Sequence, residues 1–216
     1  MATTKTAPSE KSVVITAPNF QIAEVKIRGT APYVQHRFWK KIDIMRGQQQ
    51  GNVSKSKKKR EPRDFDSEWK QAMYVSEEGW PGMPASAFRK AMIRACSLVN
   101  FKMVQAKMSV FVQADGDCVL DGEVTPLVRI IGEPEMNTST VRNATGVVDI
   151  RARPMWRKWE ADLRIEFDAD QFSAEDVTNL LMRVGIQVGV GEGRPFSKSS
   201  DGNGWGTFEL VQKGAA

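Results

Sequence analysis

The chain has 216 residues, of which 41% are hydrophobic and 26% charged, an ordinary globular composition that excludes fibrous and wholly disordered classes. No apolar run approaches the roughly 18 residues of a membrane span, and no apolar signal core opens the chain, so no membrane partner and a location in the cytoplasm are expected. The net charge of +5 and a pI near 9.2 lean toward a polyanionic partner.

Residues 1–11 are polar and read as a flexible tail, with one α+β domain expected over 12–216. Phe20 to Arg28 alternates Ala23, Val25 and Ile27 with Glu24, Lys26 and Arg28, the period-2 pattern of a half-buried strand. Gly29-Thr30-Ala31-Pro32 breaks it. Val34, Phe38, Ile42 and Met45 then fall on one stripe and predict a helix from Tyr33 to Met45. Residues 47–64 differ in kind: they are almost free of apolar side chains and read as a flexible basic arm. Lys55, Lys57, Lys58, Lys59, Arg60 and Arg63 oppose the single Glu61, a balance suited to gripping phosphates rather than to a plain solvated loop.

A short helix is expected at Phe65 to Tyr74 and a turn at Trp80 to Pro84. Phe88, Ala91, Met92, Ala95 and Leu98 give the helix Ala85 to Val99 an apolar face, with Arg89, Lys90 and Arg94 facing elsewhere. Ser109 to Gln113 and Thr125 to Ile131 read as strands. Gly132 to Gly146 reads as a loop or the tip of a long β-arm, Val147 to Arg153 as a strand, and Pro154 to Trp159 as a turn. Glu160 to Phe167 alternates cleanly and is the strongest strand. Ser173 with Asp176 forms a capping-box-like start to a helix whose stripe is Val177, Leu180, Leu181 and Val184, with Gly185 as its left-handed cap. A Gly-rich loop, Gly191 to Gly204, leads to a last strand, Trp205 to Val211. The order predicts an α+β fold with a mainly antiparallel sheet and helices on one face.

Enzyme signatures are thin, and no cofactor or metal site is expected. Cys96 and Cys118 have no metal or redox spacing and read as buried thiols. Gly189-Val190-Gly191-Glu192-Gly193 lacks nucleotide-binding spacing. Nucleic-acid signatures are stronger: the arm, the stretch Arg142 to Arg164, and the loop carrying Arg194 and Lys198. Arg151, Arg153, Arg157 and Lys158 interleave with Trp156 and Trp159, cations for phosphates beside rings that stack on unpaired bases, unless both rings are core anchors.

Ile27 to Phe38, Pro81 to Ala91, Gly185 to Pro195 and Gly204 to Val211 resemble a family of uncharacterised bacteriophage and prophage proteins. The ending also resembles the RAMP superfamily, the ferredoxin-like CRISPR-associated RNA-binding proteins. That resemblance implies a ferredoxin-like (RRM/RAMP-like) antiparallel sheet with a large insertion, here residues 47–64 and longer and more basic than the superfamily leads one to expect, and a loop in which Gly189, Gly191 and Gly193 help hold RNA. Glu192 is a departure, since a carboxylate weakens phosphate contact. The resemblance implies a viral, non-catalytic binder of single-stranded RNA or DNA, held by the loop, a basic sheet face and the arm, and assembling as a homo-oligomer along the strand. Two alternatives come with it. His36 lies where some RAMP endoribonucleases carry a histidine base, and a host protein, with this chain as a decoy of CRISPR subunits, is the other partner it allows.

Overall fold

The computed structural model describes residues 15–37, 63–120, 122–142, 148–197 and 202–211. Lys55, Lys57, Lys58, Lys59, Arg60, Lys198 and most of the arm lie outside them, as do Phe38, Ile42 and Met45. The strands, in chain order, are β1 (Phe20–Gly29), β2 (Tyr33–Val34), β3 (Gly82–Pro84), β4 (Val110–Gln113), β5 (Gly116–Leu120), β6 (Glu123–Arg129), β7 (Glu135–Arg142), β8 (Val148–Trp156), β9 (Glu160–Asp168) and β10 (Phe208–Leu210). The helices are α1 (Phe65–Gln71), α2 (Ala85–Cys96), α3 (Met103–Ser109) and α4 (Ala174–Arg183). The protein is α+β, and every strand pair in its three sheets is antiparallel.

The alternating sequences of β1 and β9 form the heart of the four-stranded sheet, whose order is β10-β1-β9-β4. β1 and β9 run in register from Phe20 opposite Asp168 to Arg28 opposite Glu160. Period 2 then sorts their side chains onto two faces. Ile27, Ala161, Leu163, Ile165 and Phe167 are buried with Phe88 and Met92 of α2 and Val177 and Leu181 of α4. Each of these Ile, Leu, Val, Phe and Met side chains contributes about 1.5–3 kcal/mol by leaving water, and the methyl of Ala161 less. The other face carries the charged residues and, among the described residues, no helix. Two smaller sheets flank the first, β2-β8-β7 and β3-β6-β5.

The capping box forms as the residues predict. Ser173 Oγ accepts from the Asp176 N–H at 3.1 Å, and the Asp176 carboxylate accepts from the Ser173 N–H at 2.9 Å. Donation to it from the Ser173 N–H and the Ser173 hydroxyl holds the Asp176 carboxyl below its usual range.

Several boundaries depart from the sequence reading. Tyr33 and Val34 are not helical: they pair with Trp156 and Met155 of β8, a tertiary pairing that overrides the local stripe. Pro154 to Trp156 continue β8, so the turn before β9 is only Arg157 to Trp159 long. Residues 135–142 are a full strand with eight partners on β8, and Met103–Ser109 is a helix that the local sequence pattern does not announce. The last strand is only Phe208–Leu210, because Gly206, at φ +68°, holds the residues before it in a turn.

Gly185 does not cap α4. The chain continues through a widened turn, Val184–Val188, and Gly189 takes the positive φ instead. Gly185 is there for space: a Cβ on it would stand 2.1 Å from the Phe208 carbonyl oxygen. We expect Gly185→Ala to push β10 from α4 and cost about 1–3 kcal/mol. Urea unfolding checks this, as a lower midpoint at unchanged slope.

Candidate nucleic-acid interface

Residues 33–37 are fixed by hydrogen bonds before any functional side chain is placed. The Gln35 N–H donates to Pro154 O at 3.1 Å, and its buried side chain donates to Gly82 O at 2.8 Å and accepts from the Tyr74 N–H at 2.8 Å. The Arg37 N–H donates to Ala72 O at 3.0 Å. His36 is therefore held by its neighbours on both sides.

The Gly-rich loop lies against the same segment. The Glu192 N–H donates to Val34 O at 2.9 Å, and the Val190 N–H donates to Gly206 O at 3.0 Å. Gly191 sits at φ +77°, and a Cβ there would stand 2.5 Å from both the Tyr33 ring and Val34 O. Its lack of a side chain lets the loop lie flat on β2. Gly193 packs in the same way on the Trp205 ring. These contacts account for both glycines without a phosphate.

Between this loop, the segment at 33–36 and helix α2 lies a groove of about 680 Å³. His36, Gly189, Gly191 and Arg194, all singled out from the sequence, line it. Lys90 and Arg94 of α2 line it too, and so does Phe196. The Arg94 guanidinium lies 4.0 Å from the Phe196 ring centroid, a cation–π contact on an exposed ring. Arg194 donates to Gly191 O at 2.7 Å, which ties its head to the loop. The first turn of α2, free of acidic residues, adds the partial positive charge of a helix N-terminus. Against three cations the lining carries one carboxylate, Glu192, which faces Arg153 at 3.6 Å.

The remaining expected site residues divide. Arg151 and Arg153 are near enough to His36 to act on its charge. Arg63 is held by Glu68 at 2.6 Å and by Asp149 at 2.9 Å. Arg157 pairs with Glu135 at 2.5 Å, and neither it nor the exposed Lys158 lines the groove. Arg142 closes β7, with its side chain outside the described residues. Trp156 is a correction: it is fully buried against Tyr33, with ring centroids 5.5 Å apart, and cannot stack on a base. Trp159 is equally a core ring, its N–H donating to Ala31 O at 2.9 Å.

The open face of the four-stranded sheet is not basic. Lys26, Arg28 and Arg164 stand among Glu24, Glu160, Asp162, Glu166, Asp168 and Glu209. Glu160 draws Lys26 and Arg28 to 2.8 Å each, and Arg164 turns to Asp115 at 3.0 Å. The expected basic sheet face is therefore absent from this sheet, and cations gather at the groove instead.

No protein-family model and no curated protein matches the chain. Among the described residues, no helix is long and apolar enough to cross a membrane.

Burial, helped by the charges of Arg151 and Arg153, pushes the His36 pKa down to about 4. Its imidazole is neutral at pH 7 and far below the range of an efficient general base. The folded pKa lies below the unfolded value near 6.5, so the unfolded chain takes up the proton first as pH falls. We expect stability to decline as pH falls from about 6.5 to about 4, and His36→Gln to lose that part of the decline. Thermal melts of both chains across this window check it.

Proposed function

We propose that this protein is a non-catalytic binder of single-stranded nucleic acid, of the bacteriophage family that it resembles. The observation that carries the reading is the groove, lined by Lys90, Arg94 and Arg194, where Arg94 lies over the exposed ring of Phe196. Cations neutralise a phosphate chain, and a ring beside them stacks on a base whatever its identity. A duplex hides its bases from such a ring, so the strand is single.

A ferredoxin-like fold belongs to the same reading. Its support is the path β1-α2-β4-β9-α4-β10 with the order β10-β1-β9-β4, a β-α-β-β-α-β unit with the remaining elements inserted. The first inserted stretch, between β1 and α2, includes the basic residues Lys55 to Arg63. On this reading it supplies further phosphate contacts.

The reading is tested by fluorescence anisotropy with labelled single-stranded DNA, single-stranded RNA and duplex. Lys90→Ala with Arg94→Ala is expected to weaken single-strand binding equally across sequences. The log–log salt slope is expected to flatten by about 0.7 for each phosphate that is no longer neutralised. Phe196→Ala is expected to cost about 1–3 kcal/mol, roughly a factor of 5 to 150, at little change in slope. Unchanged affinity in both variants removes the groove from the reading.

A further inference from the structure

A second cavity, of about 700 Å³, lies between α4 and the turn that follows α2. It shares no lining residue with the groove, although the two meet at the widened turn, where Gln187 lines the cavity and Val188 the groove. The turn after α2 is fixed by its backbone. Asn100 takes φ +59°, and the Phe101 N–H donates to Cys96 O at 3.0 Å, the bond that closes a left-handed helix end. This reversal sets the Phe101 ring against that of Phe172, with centroids 4.8 Å apart. Cys96, Phe172 and Leu180, all buried, give the cavity an apolar floor. A site so built is formed before a ligand arrives, and its volume falls in the range of small-molecule sites, about 300–1,000 Å³.

Above that floor the lining is polar. Asn100, Asn179 and Gln187 bring carboxamides, and Arg183 brings a guanidinium. Among the described residues, none of these four side chains makes a hydrogen bond or ion pair. Asn179 and Arg183 stand four apart on α4 and so share one side of it. Asp176, the one carboxylate of the lining, stands a turn before Asn179 and is engaged by the Ser173 hydroxyl at 2.7 Å. The α4 wall thus runs from a capped carboxylate to an unpaired cation, roughly 10 Å apart along the axis.

A matching ligand has an apolar body for the floor, hydrogen-bonding groups for the amides and an anion for Arg183. A fatty acid leaves the amides without partners, which costs the desolvation of each. Inorganic phosphate uses Arg183 alone, and a sugar lays hydroxyls on Phe172 and Leu180. A nucleobase is flat and apolar on its faces, and its rim carries donors and acceptors of the kind that a carboxamide pairs with. We propose that this cavity binds a nucleotide, its base beside Phe101, Phe172 and Leu180 and its phosphate at Arg183. The amides of Asn100, Asn179 and Gln187 meet the base rim, and Arg183 makes the charge-assisted bond to phosphate. The same chemistry comes from a free mononucleotide or from one residue of a strand that leaves the groove past Gln187. The site does not depend on the groove reading, since its residues are its own.

Isothermal titration calorimetry of the full chain with AMP, GMP, CMP and UMP tests this, beside the four nucleosides and ribose 5-phosphate. At least one nucleotide is expected to bind one-to-one, with its nucleoside roughly ten- to hundredfold weaker for want of the bond to Arg183, and ribose 5-phosphate weaker still. Arg183→Gln is expected to bring the nucleotide down to the level of its nucleoside and to leave the nucleoside unchanged. Asn179→Leu is expected to weaken both. Arg183 and Asn179 are exposed, so neither change disturbs the core. Lys90→Ala with Arg94→Ala is expected to leave nucleotide binding as it was. Failure of all four nucleotides to bind overturns the proposal, as does equal affinity in Arg183→Gln. Binding lost in the Lys90 and Arg94 variant overturns it too, because the nucleotide then sits in the groove. Anisotropy of Arg183→Gln with a labelled single strand identifies the source: weaker binding makes the bound unit a residue of the strand, unchanged binding a free nucleotide. Loss of strand binding in the groove variant alone bears on the groove reading and leaves this site standing.

Discussion

The pairing of β1 with β9 is the constraint on which the rest depends. It joins Phe20 to Asp168 and Arg28 to Glu160, and both strands alternate apolar and charged residues along most of their length. Because side chains alternate strictly, a slip of one residue in either strand would exchange its two faces. Ile27 would enter water, and Lys26 and Arg28 would enter the core. The register is thus fixed from within by Ala161, Leu163, Ile165 and Phe167, and from without by the ion pairs of Glu160 with Lys26 and Arg28. The buried side is the stronger guarantor, since the ion pairs are exposed and screened by salt.

From that sheet, charge is distributed in an orderly way. The acidic side chains of β1, β9 and β10 share the open face. The helix side, where α2 meets the Gly-rich loop, collects cations. The open sheet face and the groove thus differ in sign, and the overall pI describes neither. Glu192 is the exception within the groove. It faces the buried Arg153 and lowers the charge next to His36, so the loop carries its own counterweight where phosphates would sit.

The parts legible in the sequence are those governed by local periodicity. β9 and β1 show period 2, α2 and α4 show apolar stripes, and the Ser173–Asp176 cap lies within one turn at the start of its helix. What is not legible is set by partners far away in the chain. Tyr33 and Val34 follow a helical stripe but find β8, more than a hundred residues on. Trp156 and Trp159 sit among arginines and lysines, and period 2 within β8 and β9 does not reveal that Tyr33 packs on both rings. The glycines of the loop mark the right place for the groove, yet close packing on Tyr33 and Trp205 explains Gly191 and Gly193. Lys90 and Arg94 read from the sequence only as residues off the apolar stripe of α2. Their spacing of four, which puts two cations on one side of a helix, is the signal that points to them.

The long reach from β1 to β9 has a consequence for how the chain is made. β1 leaves the ribosome early, whereas its main partner begins at Glu160. At about 5–20 residues per second, β1 waits roughly 7–30 seconds with its hydrogen-bonding edges and Ile27 uncovered. β10, its other neighbour, is made later still. Lys26 and Arg28 on the waiting strand oppose its pairing with another nascent copy.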